Sequence, residues 1–346
     1  MADPCDVCGA AGDMRPLVEA ALHGVGAVWI RQCVGCGFRQ VRPRLPPAAL
    51  DALYGADYFD STSAHGFAGY ARQRQRYERD AYFLARELRR IGPAGRFLEV
   101  GSALGFLLAA LKPITAWQVE GVEVSPFGAR YARDRFGAAV HRGTLEEAGL
   151  PSDAFDYVLQ KDLLEHVTHP RRHLEETRRI MRRGARLRVV TPNGGADLRP
   201  LHRASAVRED DELPVLGQAH LSFFSRAQLL RLFEGVGFRV LRLRSIGIRR
   251  GLRALGVVPG WRSRARRAQR EALAPRDRPA DDGAEGPLPA SWREQAARID
   301  AEIAAHHRWV RGWRPYFHYR RLVKQLDNLP GALAVGEDFD LPVHQS

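Results

Sequence analysis

Short apolar blocks of strand character and stretches of helical period follow one another through the middle of this chain. Phe97, Leu98 and Val100 predict a strand, Gly101 and Gly105 a turn behind it, and Phe106 to Leu111 the start of a helix. Residues 118–124 read as a second strand. Ser125-Pro126 then opens a second helix, with serine as N-cap and proline at the first helical position. Residues 155–159 and 187–190 predict two further strands. Strands alternating with helices in this order predict an α/β, doubly wound, mostly parallel sheet.

The flanks carry a different pattern. Leu17-Val18 and Val28-Trp29-Ile30 are enough apolar chain for a small ribbon of strands. Arg42-Pro-Arg-Leu-Pro-Pro47 reads as a stiff connector. Tyr77, Ala81, Phe83-Leu84 and Leu88 recur at helical spacing within 70–90. Ile299, Ile303 and Trp309 do so within 292–311. The expected organisation is a ribbon over 1–45, a connector and lid-like helical segment over 46–92 and a core over 93–248. An Arg/Pro/Gly-rich linker over 249–290 and a helical extension over 291–346 complete it. Aromatics Tyr58, Phe59 and Tyr70 either line a lid or anchor the ribbon and helix to the core.

The turn at 99–105 has a chemical meaning. A glycine turn between strand and helix exposes backbone N–H groups to a nucleotide-like ligand. An acid closing the next strand, about 20 residues on, can hold two ribose hydroxyls, and Glu123 stands there. A dehydrogenase would need the G-x-G-x-x-G pattern that brings backbone against a pyrophosphate. Gly101-Ser-Ala-Leu-Gly105 lacks it.

Five segments in order, EVGSALG, VEGVEVS, GTLEEAGLP, FDYVLQKDLLEHVTHP and LRVVTPN, closely resemble the class I S-adenosylmethionine-dependent methyltransferases. The nearest likeness is to the branch of ubiquinone-pathway O-methyltransferases, and it covers about residues 90–245. The resemblance implies a seven-stranded Rossmann-like sheet. It also implies that Glu99, Gly101, Ser102 and Gly105 line the methionine and ribose side of the cofactor. Glu123 would take the ribose hydroxyls, with Val124 and Ser125 flanking the adenine and Thr144, Leu145 and Glu146 bordering its other side. Gln160 and Lys161 would close over the methionine through backbone contacts. Ala103 stands where the family often has a middle glycine, and Thr144 where it often has an acid.

All four cysteines fall in two pairs, Cys5-x-x-Cys8-Gly and Cys33-x-x-Cys36-Gly. That spacing lets two thiolates from each knuckle meet one tetrahedral ion, so a structural Zn2+ is expected. Disulfides and a redox dithiol are the alternatives, disfavoured by a reducing compartment and by the second pair. Ribbons followed by such a core resemble bacterial enzymes acting on surface-polysaccharide precursors or secondary metabolites.

Chemistry is expected from Asp162, Glu165 and His166, which would share one face if a helix began there. His166 is a candidate base, and the same trio could hold a divalent cation that lowers a hydroxyl's pKa, as the resemblance allows. An N-cap aspartate with an acid in the first turn is the plain structural alternative. His220 is a second candidate, because in related enzymes the matching segment borders the substrate pocket. His169 and His173 read as surface or helix residues.

Net charge is +13, which raises a nucleic-acid partner. Only Lys112, Lys161 and Lys324 are lysines, so the charge is arginine, clustered between Arg249 and Arg278. A GC-rich genome produces that skew, and its functional weight is low. Arginines also suit a phosphate-bearing small molecule. Three functions stay in view: methylation of a small-molecule acceptor such as a sugar nucleotide, with oxygen favoured; methylation of rRNA or tRNA; and non-catalytic binding. The RNA reading lacks its Asn/Asp-Pro-Pro-Tyr-type motif, since Gln160-Lys-Asp-Leu stands after the fourth predicted strand. No apolar run reaches the length of a membrane span, and Asp3, Cys5 and Asp6 do not form a signal peptide. A cytoplasmic location and no membrane partner are expected, and the aromatic tail (Trp313, Tyr316, Phe317, Tyr319) either packs back on the core or forms the surface of a homodimer.

Overall fold

The computed structural model describes residues 3–11, 14–46, 49–50, 53–59, 69–198, 201, 213–216, 219–246, 287–307 and 338–345. The arginine cluster of 249–278, Gln218 and the four tail aromatics lie outside these residues.

In chain order the strands are β1 (Met14–Leu22), β2 (Gly26–Cys33), β3 (Arg39–Arg42), β4 (Arg96–Val100), β5 (Gln118–Glu123), β6 (Ala139–Arg142), β7 (Phe155–Lys161), β8 (Met181–Pro192), β9 (Ser222–Phe223), β10 (Phe238–Val240), β11 (Arg244–Ile246) and β12 (Asp338–Gln345). The helices are α1 (Arg74–Ile91), α2 (Phe106–Leu111), α3 (Pro126–Phe136), α4 (Pro170–Ile180), the one-turn α5 (Gly194–Asp197), α6 (Arg226–Val236) and α7 (Ala290–His307). The class is the expected one, α/β with mostly parallel central strands. The chain forms two compact units, one from 47–149 with 264–312, the other from 1–46, 150–263 and 313–346.

In the first unit β4, β5 and β6 run parallel, with Glu99 opposite Gly121 and Glu123 opposite Arg142. Helix α3 starts as its sequence dictates: the Ser125 hydroxyl accepts from the Gly128 N–H, Pro126 is the first helical residue, and Gly137 ends the helix in the left-handed region. Helix α7 packs Ile299 and Ile303 into an aromatic cluster of Phe59, Tyr70, Phe106, Phe127 and Tyr131. The Tyr131 hydroxyl donates to Asp300 at 2.7 Å, while Arg135 and Arg72 pair with Asp300 and Glu302 at 2.6 Å each.

In the second unit β7 and β8 are parallel, β12 is antiparallel to β8, and β10 and β11 are antiparallel to β12. The predicted strand 187–190 is the end of the longer β8. The extension expected to be helical therefore carries helix α7 and also ends its described part in a strand, because β8 offers an edge that β12 pairs from residue 186 to 192. A second sheet has the order β1-β2-β3-β9. Its fourth strand comes from 182 positions further along the chain at the Gln40–Ser222 pair. The segment 42–44, read as a connector, is docked: Arg42 and Arg44 pair with Asp3 and Asp6. No helix among the described residues is long and apolar enough to cross a membrane.

No α-helix begins at Asp162, the condition under which Asp162, Glu165 and His166 would share a face. Leu164–His166 is a single 3-10 turn, and α4 begins only at Pro170. Asp162 has φ 53°, a left-handed conformation that interrupts any helix starting there. The three residues consequently share no helical face. His173, expected at the surface or on a helix, is on α4 and buried.

Candidate functional site

The predicted cofactor turn is built by hydrogen bonds from the turn to the neighbouring strand. Both the Gly101 and Ser102 N–H groups donate to Val122 O, at 2.9 and 3.0 Å. Gly101 and Gly105 have φ 77° and 74°, conformations in which a side chain is strained. A Cβ on Gly105 would also lie 2.6 Å from the Ala132 Cβ. Ala103, in the middle-glycine position, has φ 49° and adopts the same hand. Its N–H donates to Glu123 Oε2 at 2.6 Å, and the Ser125 N–H donates to Glu123 Oε1 at 2.8 Å.

Glu123 thus joins the β4 turn to the α3 cap. Burial pushes its carboxyl up to about 7, against the backbone N–H groups of Ser125, Ala103 and Val124, which favour the charged form. Glu99 and Ser102 are buried beside it in the sequence motif, Val124 is half-buried, and Ser125 is fully buried as the α3 cap. Thr144 turns its hydroxyl and N–H to Glu147 Oε2, both at 2.9 Å, while Leu145 is buried and Glu146 half-buried. A buried carboxylate behind left-handed glycines suits a ligand carrying vicinal hydroxyls, so these residues fit the nucleoside of S-adenosylmethionine.

The second unit assembles a separate cluster. Glu165 is buried on the 3-10 turn after β7, and its Oε2 accepts from the Thr191 hydroxyl at 2.9 Å. His220 Nδ1 meets Asp197 Oδ2 at 2.7 Å, and its ring stands edge-on to His166 with centroids 4.9 Å apart. Ligand atoms of Glu165, His166 and His220 all lie within 4.8 Å of one another. Asp162 is exposed and outside that group, though its charge is felt by Glu165 and His220. Burial raises Glu165 to about 8, with the His220 charge opposing. His220 is raised to about 9, its burial being outweighed by Asp197. Burial and the neighbouring His220 hold His166 well below its ordinary value, so it is neutral at pH 7. Ala219, just before His220, has φ 55°, and strain of this kind concentrates where geometry is functional.

Asp197 was not among the residues the sequence singled out. It closes the one-turn helix α5, whose cap Asn193 accepts from the Gly195 N–H. Gln160 is fully buried and its amide donates to the Thr177 hydroxyl at 2.9 Å. Its side chain is therefore engaged with α4, which leaves the backbone for any cofactor contact. Lys161, the last residue of β7, is half-buried.

The four cysteines converge. Cys5 and Cys36 Sγ are 3.6 Å apart, Cys8 and Cys33 Sγ 3.7 Å, and all four sulfurs lie within 4.8 Å. Tetrahedral zinc–sulfur bonds of about 2.3 Å place sulfurs about 3.8 Å apart, so the knuckles fit one such ion. Both knuckles are held from the core: Arg171 donates to Asp6 O and Val7 O, at 2.7 and 3.0 Å, and the Gln228 amide donates to Cys36 O at 3.1 Å.

Residues 70–243 match the sequence profile of a family described as Methyltransferase domain. Over 171 residues the chain is 25% identical to 2-methyl-6-phytyl-1,4-hydroquinone methyltransferase 2, chloroplastic, of Oryza sativa subsp. japonica, covering 48% of this chain and 45% of that protein. The chain thus spans less than half the length of this relative. Among solved structures it is similar to a geranyl diphosphate methyltransferase in complex with S-adenosylmethionine, with 13% identity, TM-score 0.43, and coverage of 78% and 85% of the two chains. An S-adenosylmethionine-dependent methyltransferase from Mesorhizobium loti gives 13% identity, TM-score 0.40, and coverage of 72% and 90%.

Proposed function

Because this chain belongs to the methyltransferase-domain family, we propose that it transfers a methyl group from S-adenosylmethionine to a small-molecule acceptor, with a hydroxyl oxygen as the favoured target. The observation that carries the reading is that the matched residues, 70–243, include both the Glu123 cradle and the histidine cluster. A sugar nucleotide, a polysaccharide precursor or a secondary metabolite is the acceptor class in view, and the rice relative is named for a hydroquinone, also a small molecule.

When bound, the sulfonium supplies an activated methyl, and the protein's work is to hold the acceptor and take its proton. Glu123 accepts the ribose hydroxyls, the 101–105 turn and Glu99 flank the methionine side, and Val124, Ser125, Thr144, Leu145 and Glu146 border the base. His166 is the base, because it is neutral at pH 7 and a hydrogen bond to the Ala219 backbone fixes its tautomer. Glu165 Oε1 lies 3.8 Å from His166 Nε2, and this carboxyl becomes an anion able to stabilise an imidazolium only as pH rises through about 8. His220, kept protonated by Asp197, offers a second ring N–H to the oxygen losing its proton. A positive His220 favours this oxyanion role over a divalent cation in the cluster; titration of Mg2+ into the protein should therefore give no saturable heat. The four cysteines hold a structural Zn2+ that takes no part in methyl transfer.

The test is formation of S-adenosylhomocysteine from S-adenosylmethionine with catechol, hydroquinone and sugar-nucleotide acceptors. His166→Ala should lower turnover at least about 100-fold. Full turnover in that variant removes His166 as the base. Methylation of tRNA or rRNA fragments with none of small acceptors would favour the RNA reading.

A further inference from the structure

Gln40 lies on β3, in the four-cysteine part of the chain, and is 1% exposed. Its amide donates to Thr168 O at 3.1 Å and to the Ser222 hydroxyl at 3.2 Å. Thr168 is two residues beyond His166, and Ser222 two residues beyond His220. One buried side chain therefore ties together the two segments that carry the histidines. The backbone repeats the connection: Val41 N–H donates to Leu221 O at 2.8 Å, and Leu221 N–H donates to Glu165 O at 2.7 Å. Arg44 adds a bond from Nη1 to Thr168 O at 2.6 Å, and Phe38 stacks on Phe224 with centroids 5.1 Å apart. Apart from the Leu221–Glu165 bond, each of these contacts has one partner in the segment 38–44. That segment directly follows Cys33 and Cys36.

We propose that Gln40 is a positioning residue for the Glu165–His166–His220 cluster, so that the cysteine-bearing ribbon is a structural part of the acceptor site and not a separate recognition module. The edge of β3 is occupied by β9, and the knuckle carbonyls of Asp6, Val7 and Cys36 are engaged by Arg171 and Gln228. The inference rests on the reading of the cluster as the acceptor end.

The test is proton NMR of the full chain. The Nδ1–H of His220, hydrogen-bonded to Asp197, should give a downfield resonance, assigned by its absence in His220→Asn. In Gln40→Met, which keeps the side chain's volume but removes its donors, that resonance should broaden or shift upfield by at least about 1 ppm, with S-adenosylhomocysteine affinity within about twofold of wild type. Ser222→Ala, which removes one of the two acceptors, should shift it in the same direction by less. An unshifted, equally sharp resonance in Gln40→Met overturns the inference. Should that variant fail to fold, an unshifted resonance in Ser222→Ala overturns it. The reading beneath it fails differently, through full turnover in His166→Ala and His220→Asn.

Discussion

Glu123 answers to two opposing demands. Three backbone N–H donors and, in the proposed complex, two ribose hydroxyls favour its charge, while burial disfavours it and raises it to about 7. Only the ionised form can accept from every donor. Affinity for S-adenosylhomocysteine should accordingly rise with pH up to about 7 and level above it, as read by calorimetry between pH 6 and 8. Glu123→Ala should weaken binding at least about tenfold at pH 8, since a hydrogen bond to a charged group contributes about 1.5–3 kcal/mol; unchanged affinity would remove Glu123 from the site. His220 and Glu165 also bind protons more tightly folded than unfolded, His220 between its ordinary 6.5 and about 9 and Glu165 between 4.5 and about 8. Their contribution to stability is present at the low end of those windows and lost as pH rises through the upper values. The urea midpoint of the cofactor-free protein should fall from pH 7 to pH 9, and Asp197→Asn should flatten that slope. Glu99, Gly101, Gly105 and Glu123 were legible in the sequence because strand, turn and acid are close along the chain. Asp197 and Gln40 were not, because their partners are 23 and 182 positions away and nothing local marks either residue.

Among the elements, α2 and α3 depend on a close approach that only glycine allows. Gly105 combines φ 74° with the 2.6 Å separation that a Cβ would meet at Ala132. Gly105→Ala should cost about 2–5 kcal/mol, the sum of backbone strain and overpacking, measurable as a lowered urea midpoint. Wild-type stability would show that the turn adjusts freely. The α3 cap and the strand–helix alternation were readable from serine, proline and apolar period. The condition for Asp162, Glu165 and His166 to share a face, a helix beginning at 162, is not met, because Asp162 is left-handed and the helix starts only at Pro170. The strand β12 gave no signal distinguishable from a tail, since its pairing is set entirely by the edge of β8.

At the level of the molecule, the cysteine ribbon and the second half of the core form one contact unit. The chain should carry about one zinc, and Cys33→Ser or a strong chelator should lower the melting temperature and unfold β3 together with β9 in one transition. Two separate transitions by circular dichroism and tryptophan fluorescence would mean that the ribbon is independent. The convergence of the four cysteines was legible from spacing; their docking on Arg171 and Gln228 was not, because arginine and glutamine on helix starts are common without such a role.

The position of β9 in the ribbon sheet also has a consequence in time. The ribosome completes β3 at Arg42 and does not supply Ser222–Phe223 until 180 residues later, roughly 10–35 s at synthesis rates of about 5–20 residues per second. During that interval the third strand is an open edge. Arg39 and Arg42 at its two ends put charge where an unwanted strand would otherwise add. Nascent chains arrested before residue 222 should bind metal yet remain protease-sensitive at 37–46, and become protected once residues 222–225 have emerged from the ribosome.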